Sequence, residues 1–166
     1  DCGIADVESA KYAKEKSIDL IITDHHTLGN VLPDAYAIIN PKQGGCNYPD
    51  KNLCGAGVAF KLVCALIKKY GEYFKISIGW EKWLLDMASI ATLADQVPLV
   101  GENRVIAYYG LKVLKKTRRP GLVEIFNKAG VKMNNISEED ITFTLAPRIN
   151  AASRMGDPMD AFRALS

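Results

Sequence analysis

The sequence predicts an α/β fold with a parallel sheet flanked by helices and a helix-rich C-terminal half. Residues 18–23 (IDLIIT) are a short, almost unbroken run of β-branched residues and leucine, of the kind that fills a parallel strand buried on both faces. A segment of helical composition, 7–16, leads into that run, so a helix feeds a strand as in a βαβ layout. From residue 56 onward the apolar positions recur mainly at helical spacing, and helices outnumber strands.

Taken in order, a second apolar run covers 35–39 and is bounded by Pro33 and by Asn40-Pro41, after which 43–52 is rich in Gly, Asn, Pro and Asp and reads as a loop. Between 56 and 70, Val58, Ala59, Leu62, Val63, Leu66 and Ile67 mark one helical face, with Gly71 as the expected C-cap. Residues 80–93 are apolar nearly all round and predict a helix buried in the middle of the domain, with Asp95 at its exit before Pro98. Another helix is expected over 103–116, stopped by Pro120, and a shorter one over 121–129. Ser137-Glu138-Glu139-Asp140 has the pattern of an N-cap with first-turn acids, opening a helix toward Leu145.

A chain of 166 residues with 48% hydrophobic content suits one domain with a proper core. Its formal net charge of +2 carries no global sign of nucleic-acid binding, so any such property must come from local residues. No apolar run reaches the roughly 20 residues a membrane helix needs, no signal-peptide pattern opens the chain, and a cytoplasmic location is expected. Cys2, Cys46, Cys54 and Cys64 lack CxxC spacing, which argues against a structural zinc or a disulfide framework.

Both histidines of the chain fall in Asp24-His25-His26, directly after the predicted strand and therefore at its carboxyl end, where open α/β sheets place ligands. A carboxylate beside two imidazoles can fix a tautomer or bind a metal; a solvated loop is the bland alternative. Asp1 precedes a glycine in Asp1-Cys2-Gly3, and Asp95 ends a buried apolar helix, where a charged group needs either a cation or a basic partner. Carboxylates and imidazoles without thiolate suit manganese or magnesium, and two such ions about 4 Å apart form a phosphoryl-transfer clamp. Gly55 and Gly57 open an amphipathic helix whose first N–H groups suit a phosphate, or form only a glycine turn.

These segments, Asp1-Cys2-Gly3, Asp24-His25-His26, Cys54-Gly55-Ala56-Gly57 and 91–98, resemble in order and spacing the motifs of the DHH phosphoesterase family, over most of the chain. The stretch 146–155 (APRINAASRM) resembles PRINAAGRM of the family's RecJ-type exonucleases. The resemblance implies a DHH-type sheet and a metal-dependent 5′→3′ exonuclease of single-stranded DNA in repair and recombination, using Mn2+ or Mg2+ in a two-ion site. It implies that Asp1, His25 and Asp95 bind metal, that His26 faces the scissile phosphate, and that Asp24 supports the histidines. It further implies that Arg148, Asn150 and Arg154 meet DNA phosphates, and Gly55 and Gly57 are expected to bind the substrate as well.

The family's upstream DxDG motif has no counterpart, and the chain stops at Ser166, before the family's C-terminal DHH-associated and OB domains. The expectation is therefore a partial DHH domain whose Asp1 α-amino group, cationic below roughly pH 8, weakens metal binding. An open sheet edge would also favour self-association. Ser153 replaces the family glycine, adding a Cβ where a positive φ is expected. Two rival readings are another DHH phosphoesterase, acting on oligoribonucleotides or cyclic dinucleotides, and a non-catalytic DHH-like binding module. The 146–155 stretch argues against the first, and Asp24, His25, His26 and Asp95 against the second. The cations Lys112, Lys115, Lys116, Arg118 and Arg119 read as a helix-end cap or as a DNA-backbone patch.

Overall fold

The computed structural model describes residues 3–165, apart from the side chain of Ser153. The chain divides into two compact units, 1–78 and 79–166. In the first, α1 (Val7–Glu15) leads to β1 (Ile21–Thr23), β2 (Ala37–Ile39) and α2 (Gly55–Tyr70). In the second, a 3₁₀ turn (Trp80–Leu84) leads to α3 (Leu85–Ala94), α4 (Gly101–Leu114), α5 (Pro120–Lys128), a short 3₁₀ turn (Met133–Asn135), a π-helical segment (Asp140–Leu145), α6 (Ala146–Met155) and α7 (Pro158–Leu165).

The two strands pair in parallel, with Ile21 opposite Ala37, Ile22 opposite Ile38 and Thr23 opposite Ile39. The strand expected over 18–23 is shorter and is not covered on both faces. Ile22 is buried, while Ile18 and Ile21 are 58% and 55% exposed. Among the described residues the sheet has two strands. The connection from β1 to β2 is a loop rather than the helix of a βαβ unit, and it carries Asp24, His25 and His26.

α2 starts at Gly55 because Cys54, in an extended conformation, accepts the N–H of Gly57 on its Sγ at 3.3 Å. Gly71 caps the far end in a right-handed conformation, its N–H donating to Ile67 O. No disulfide joins Cys46, Cys54 or Cys64.

The core of the second unit gathers Ile90, Leu93, Leu111, Leu114, Leu122, Phe126, Ile141 and Leu145. The buried helix expected over 80–93 divides: α3 is buried, but Trp80 and Trp83 on the preceding turn are 49% and 58% exposed. α4 ends at Leu114, and Pro120 starts α5 instead of stopping α4, because a proline at the first helical position loses no hydrogen bond. Ser137 and Asp140 cap reciprocally as expected: Asp140 Oδ2 accepts the Ser137 N–H and hydroxyl at 2.9 and 2.8 Å. The π-helical turn opened by this cap runs directly into α6. Pro147 sits in the first turn of α6, and the wider turn before it relieves the clash of its ring with the carbonyl four residues back.

α3 and α4 pack closely because Gly110 faces α3. A Cβ on Gly110 would strike the Ser89 side chain and lie 2.5 Å from Leu85 O. Alanine gains about 1 kcal/mol over glycine within a helix, whereas overpacking a core contact costs about 1–3 kcal/mol. Since the obstruction includes a rigid carbonyl, the cost wins. Gly110→Ala is expected to lower stability by about 1–2 kcal/mol, read as an earlier urea midpoint.

Candidate metal and phosphate site

The loop after β1 is fastened on both sides. Asp24 N–H continues the parallel ladder to Ile39 O at 3.0 Å, and Asn40, buried at the end of β2, donates from Nδ2 to His26 O at 2.9 Å while its Oδ1 accepts Lys42 N–H. Asn40 was legible in the sequence only as a strand boundary, yet it sets the path of the histidine loop. A polar residue at the last position of a buried run was the available signal.

Asp24 is 5% exposed. Oδ2 accepts Ile4 N–H at 2.6 Å, and Oδ1 accepts His25 N–H at 2.6 Å and His26 N–H at 3.1 Å, with His26 Nδ1 at 2.7 Å. Burial alone raises this carboxyl's pKa, but the N–H groups of Ile4, His26 and His25 and the His26 ring outweigh it and lower the pKa to about 2. The group is an anion throughout the physiological range. Gly3 allows the approach, since a Cβ there would lie 2.5 Å from Asp24 Oδ2.

Oδ1 carries three of these contacts and Oδ2 one, so Oδ2 keeps an acceptor position that can face a ligand together with the imidazole nitrogens. With Nδ1 of His26 donating to an anion, its Nε2 carries the lone pair. The His25 ring lies 4.4 Å from that of His26, tilted by 49°. Potential ligand atoms of Asp24, His25 and His26 all fall within 4.8 Å of one another. This oxygen and nitrogen set, with a permanent anion behind the imidazoles, fits a divalent ion such as manganese.

The N-terminus of α2 abuts this cluster: a Cβ on Gly55 would lie 3.4 Å from His25 Cδ2. Gly55 thus brings the positive end of α2 against the histidine. Gly57 differs from the expectation of an open N–H, because it is buried and its N–H donates to Cys54 Sγ.

The remaining candidates lie elsewhere. Asp1 is outside the described residues. Asp95 is the C-cap of α3 in the second unit and is exposed, so desolvation does not force a counter-ion on it as the sequence suggested. The carboxylate that burial does constrain is Asp86, whose Oδ2 accepts Arg119 Nε at 2.9 Å. Arg148, Asn150 and Arg154 are exposed on α6, and Arg148 Nη1 donates to Thr144 O at 2.6 Å. At about 100° per residue Asn150 and Arg154 share a face, and Arg148 points about 160° from Asn150. Position 153 lies inside α6, so the left-handed backbone expected there is absent.

Among the described residues no helix is long and apolar enough to cross a membrane. The chain is 49% identical over 155 residues to the single-stranded-DNA-specific exonuclease RecJ of Bacillus subtilis, covering 93% of this chain and 18% of that protein. It is 37% identical to the Escherichia coli protein of the same name, covering 95% of this chain and 28% of that one. A crystal structure of Thermus thermophilus RecJ in complex with Mn2+ superposes with a TM-score of 0.83 at 33% identity, over 99% of this chain and 24% of that chain. The magnesium complex from the same organism gives 0.70 at 32% identity, over 90% and 21%. The chain thus spans between a fifth and a third of the length of most of these relatives. The profile of the DHH family, N-terminal domain, matches residues 1–92, and with Asp24-His25-His26 at the carboxyl end of β1 the chain belongs to the DHH family.

Proposed function

We propose that this chain is part of the catalytic DHH domain of a metal-dependent exonuclease that hydrolyses single-stranded DNA from its 5′ end. The observation that carries this reading is the Asp24–His26 pair, a buried permanent anion holding an imidazole so that its other nitrogen faces outward. Relatives named single-stranded-DNA-specific exonuclease, and related crystal structures bound to Mn2+ or Mg2+, support it.

In this reading His25, Asp1 and Asp95 would hold a two-ion Mn2+ or Mg2+ site, which would supply a water of lowered pKa and charge stabilisation. His26 Nε2 faces the scissile phosphate and positions its oxygens, while Asp24 keeps that ring in one tautomer. The α2 N-terminus at Gly55 offers partial positive charge to the same phosphate, with Gly57 fixing the turn behind it. Arg148 on one face of α6 and Asn150 with Arg154 on another contact separate phosphates of the strand. The exposed Ile18 and Ile21 favour self-association of the chain, which sedimentation would read as a concentration-dependent mass.

The test is manganese-dependent release of nucleotides from 5′-phosphorylated single-stranded DNA, using the chain extended upstream through a DxDG segment. Release that falls at least about 100-fold in His25→Ala, with the fold intact by circular dichroism, supports the assignment. Absence of release from the folded, extended protein at saturating manganese would overturn it.

A further inference from the structure

In the second unit a pocket of about 470 Å³ opens between the 3₁₀ turn before α3, the end of α4 and the loop into α5. Trp83, Val113, Lys116, Arg118 and Pro120 line it, over a floor made by Asp86 and Arg119. Its size falls within the range of sites that enclose small ligands, about 300–1,000 Å³.

Two features define its chemistry. Trp83 stands at the pocket 58% exposed, although tryptophan ordinarily buries about 150–250 Å² of surface. The charge is also one-sided: Asp86 is neutralised by Arg119 at 2.9 Å, which leaves Lys116 and Arg118, neither in an ion pair among the described residues. These cations follow Leu114, the last residue of α4, so they are not its last-turn cap. Thr117 Oγ1 accepts Arg119 N–H at 3.3 Å and bends the loop around the pocket.

We propose that this pocket is a single-stranded nucleic-acid contact that operates without metal, in which Trp83 stacks a base and Lys116 and Arg118 take neighbouring phosphates. An aromatic face needs an unpaired base, which excludes duplex, and the paired cations match a phosphate backbone. The contact is separate from the hydrolytic cluster and does not depend on it, so it is measured in EDTA, where hydrolysis cannot contribute.

The probe is a fluorescein-labelled oligothymidylate of roughly ten nucleotides, followed by anisotropy. Trp83→Ala is expected to weaken binding about tenfold. Lys116→Glu with Arg118→Glu is expected to flatten the slope of log affinity against log salt by about 1.4, the value for two single-strand phosphates. Trp80→Phe leaves Trp83 as the single tryptophan, because the chain has two. Its fluorescence should be quenched by oligothymidylate and not by an abasic strand of equal charge. That variant preserves aromatic bulk, so it reports even if Trp83→Ala fails to fold. Unchanged affinity in the charge-reversed variant, or equal quenching by the abasic strand, would overturn the proposal, as would stronger competition from polyglutamate than from oligothymidylate, the result for an acidic protein partner.

Discussion

On the proposed exonuclease function, Asp24→Asn in the upstream-extended chain is expected to reduce manganese-dependent nucleotide release by about 10²–10⁴-fold, the range between loss of a metal site's supporting carboxylate and loss of a tautomer-setting one. The amide has one acceptor where the carboxylate has two, so it cannot satisfy the Ile4, His25 and His26 N–H groups together. If its NH₂ faces His26, Nδ1 must become the acceptor and the proton moves to Nε2, which no longer offers a lone pair to the site. Nitrogen chemical shifts of the His26 ring read that change directly. A variant whose ring keeps the Nδ1–H tautomer, yet is equally inactive, would refute this account of the loss.

The same substitution has a pH signature. The Asp24 pKa is lowered from 3.8 to about 2, so the group stabilises the fold above the unfolded value and loses that contribution as pH falls through the folded one. A shift of that size corresponds to roughly 2 kcal/mol at neutral pH. Wild-type stability should therefore decline between about pH 4 and 2 by more than that of Asp24→Asn, which starts lower. Urea midpoints across that window test it; parallel curves for the two proteins would remove Asp24 from the explanation.

The histidine loop was legible because its evidence is local. A run of β-branched residues followed at once by a carboxylate and two imidazoles places polar side chains at a strand's carboxyl end whatever the rest of the fold does. The Ser137–Asp140 cap and the helical spans of α2 and α4 were legible for the same reason. Residues whose role depends on distant partners were not. Asp86 and Asp95 both sit in an apolar segment, but helical phase buries the first against Arg119, 33 residues away, and leaves the second exposed at a helix end. Cys54, read only as the first residue of the Cys54-Gly55-Ala56-Gly57 motif, also caps α2. Pro120 punctuates the chain in either case, but whether a proline ends one helix or begins the next depends on where the preceding cations turn the backbone. The expectation of a doubly covered β1 failed on Ile21, since periodicity says that a face is apolar and not that a second layer covers it.

The stability effect expected to be largest lies in that unanticipated ion pair. Asp86 is 4% exposed, its Oδ1 accepts Met87 N–H at 2.6 Å and its Oδ2 binds Arg119. Arg119 also donates from Nη1 to Leu165 O at 3.1 Å, so the pair links α3 through the α5 N-cap to the end of α7. Asp86→Ala strands the guanidinium beside Lys116 and Arg118 with no anion in the pocket. Breaking a buried pair from one side costs about 3–5 kcal/mol; with Arg119 26% exposed, about 3 kcal/mol is expected. Asp86→Leu combined with Arg119→Met should recover most of the loss, because no charge is then left uncompensated. It should not restore α7, whose amide protons are expected to exchange faster without the Arg119–Leu165 bond. Urea unfolding of Asp86→Leu, Arg119→Met and the double variant gives the coupling directly. If the single-variant losses simply add, Asp86 and Arg119 do not act as a pair, and the second unit is held by its apolar core alone.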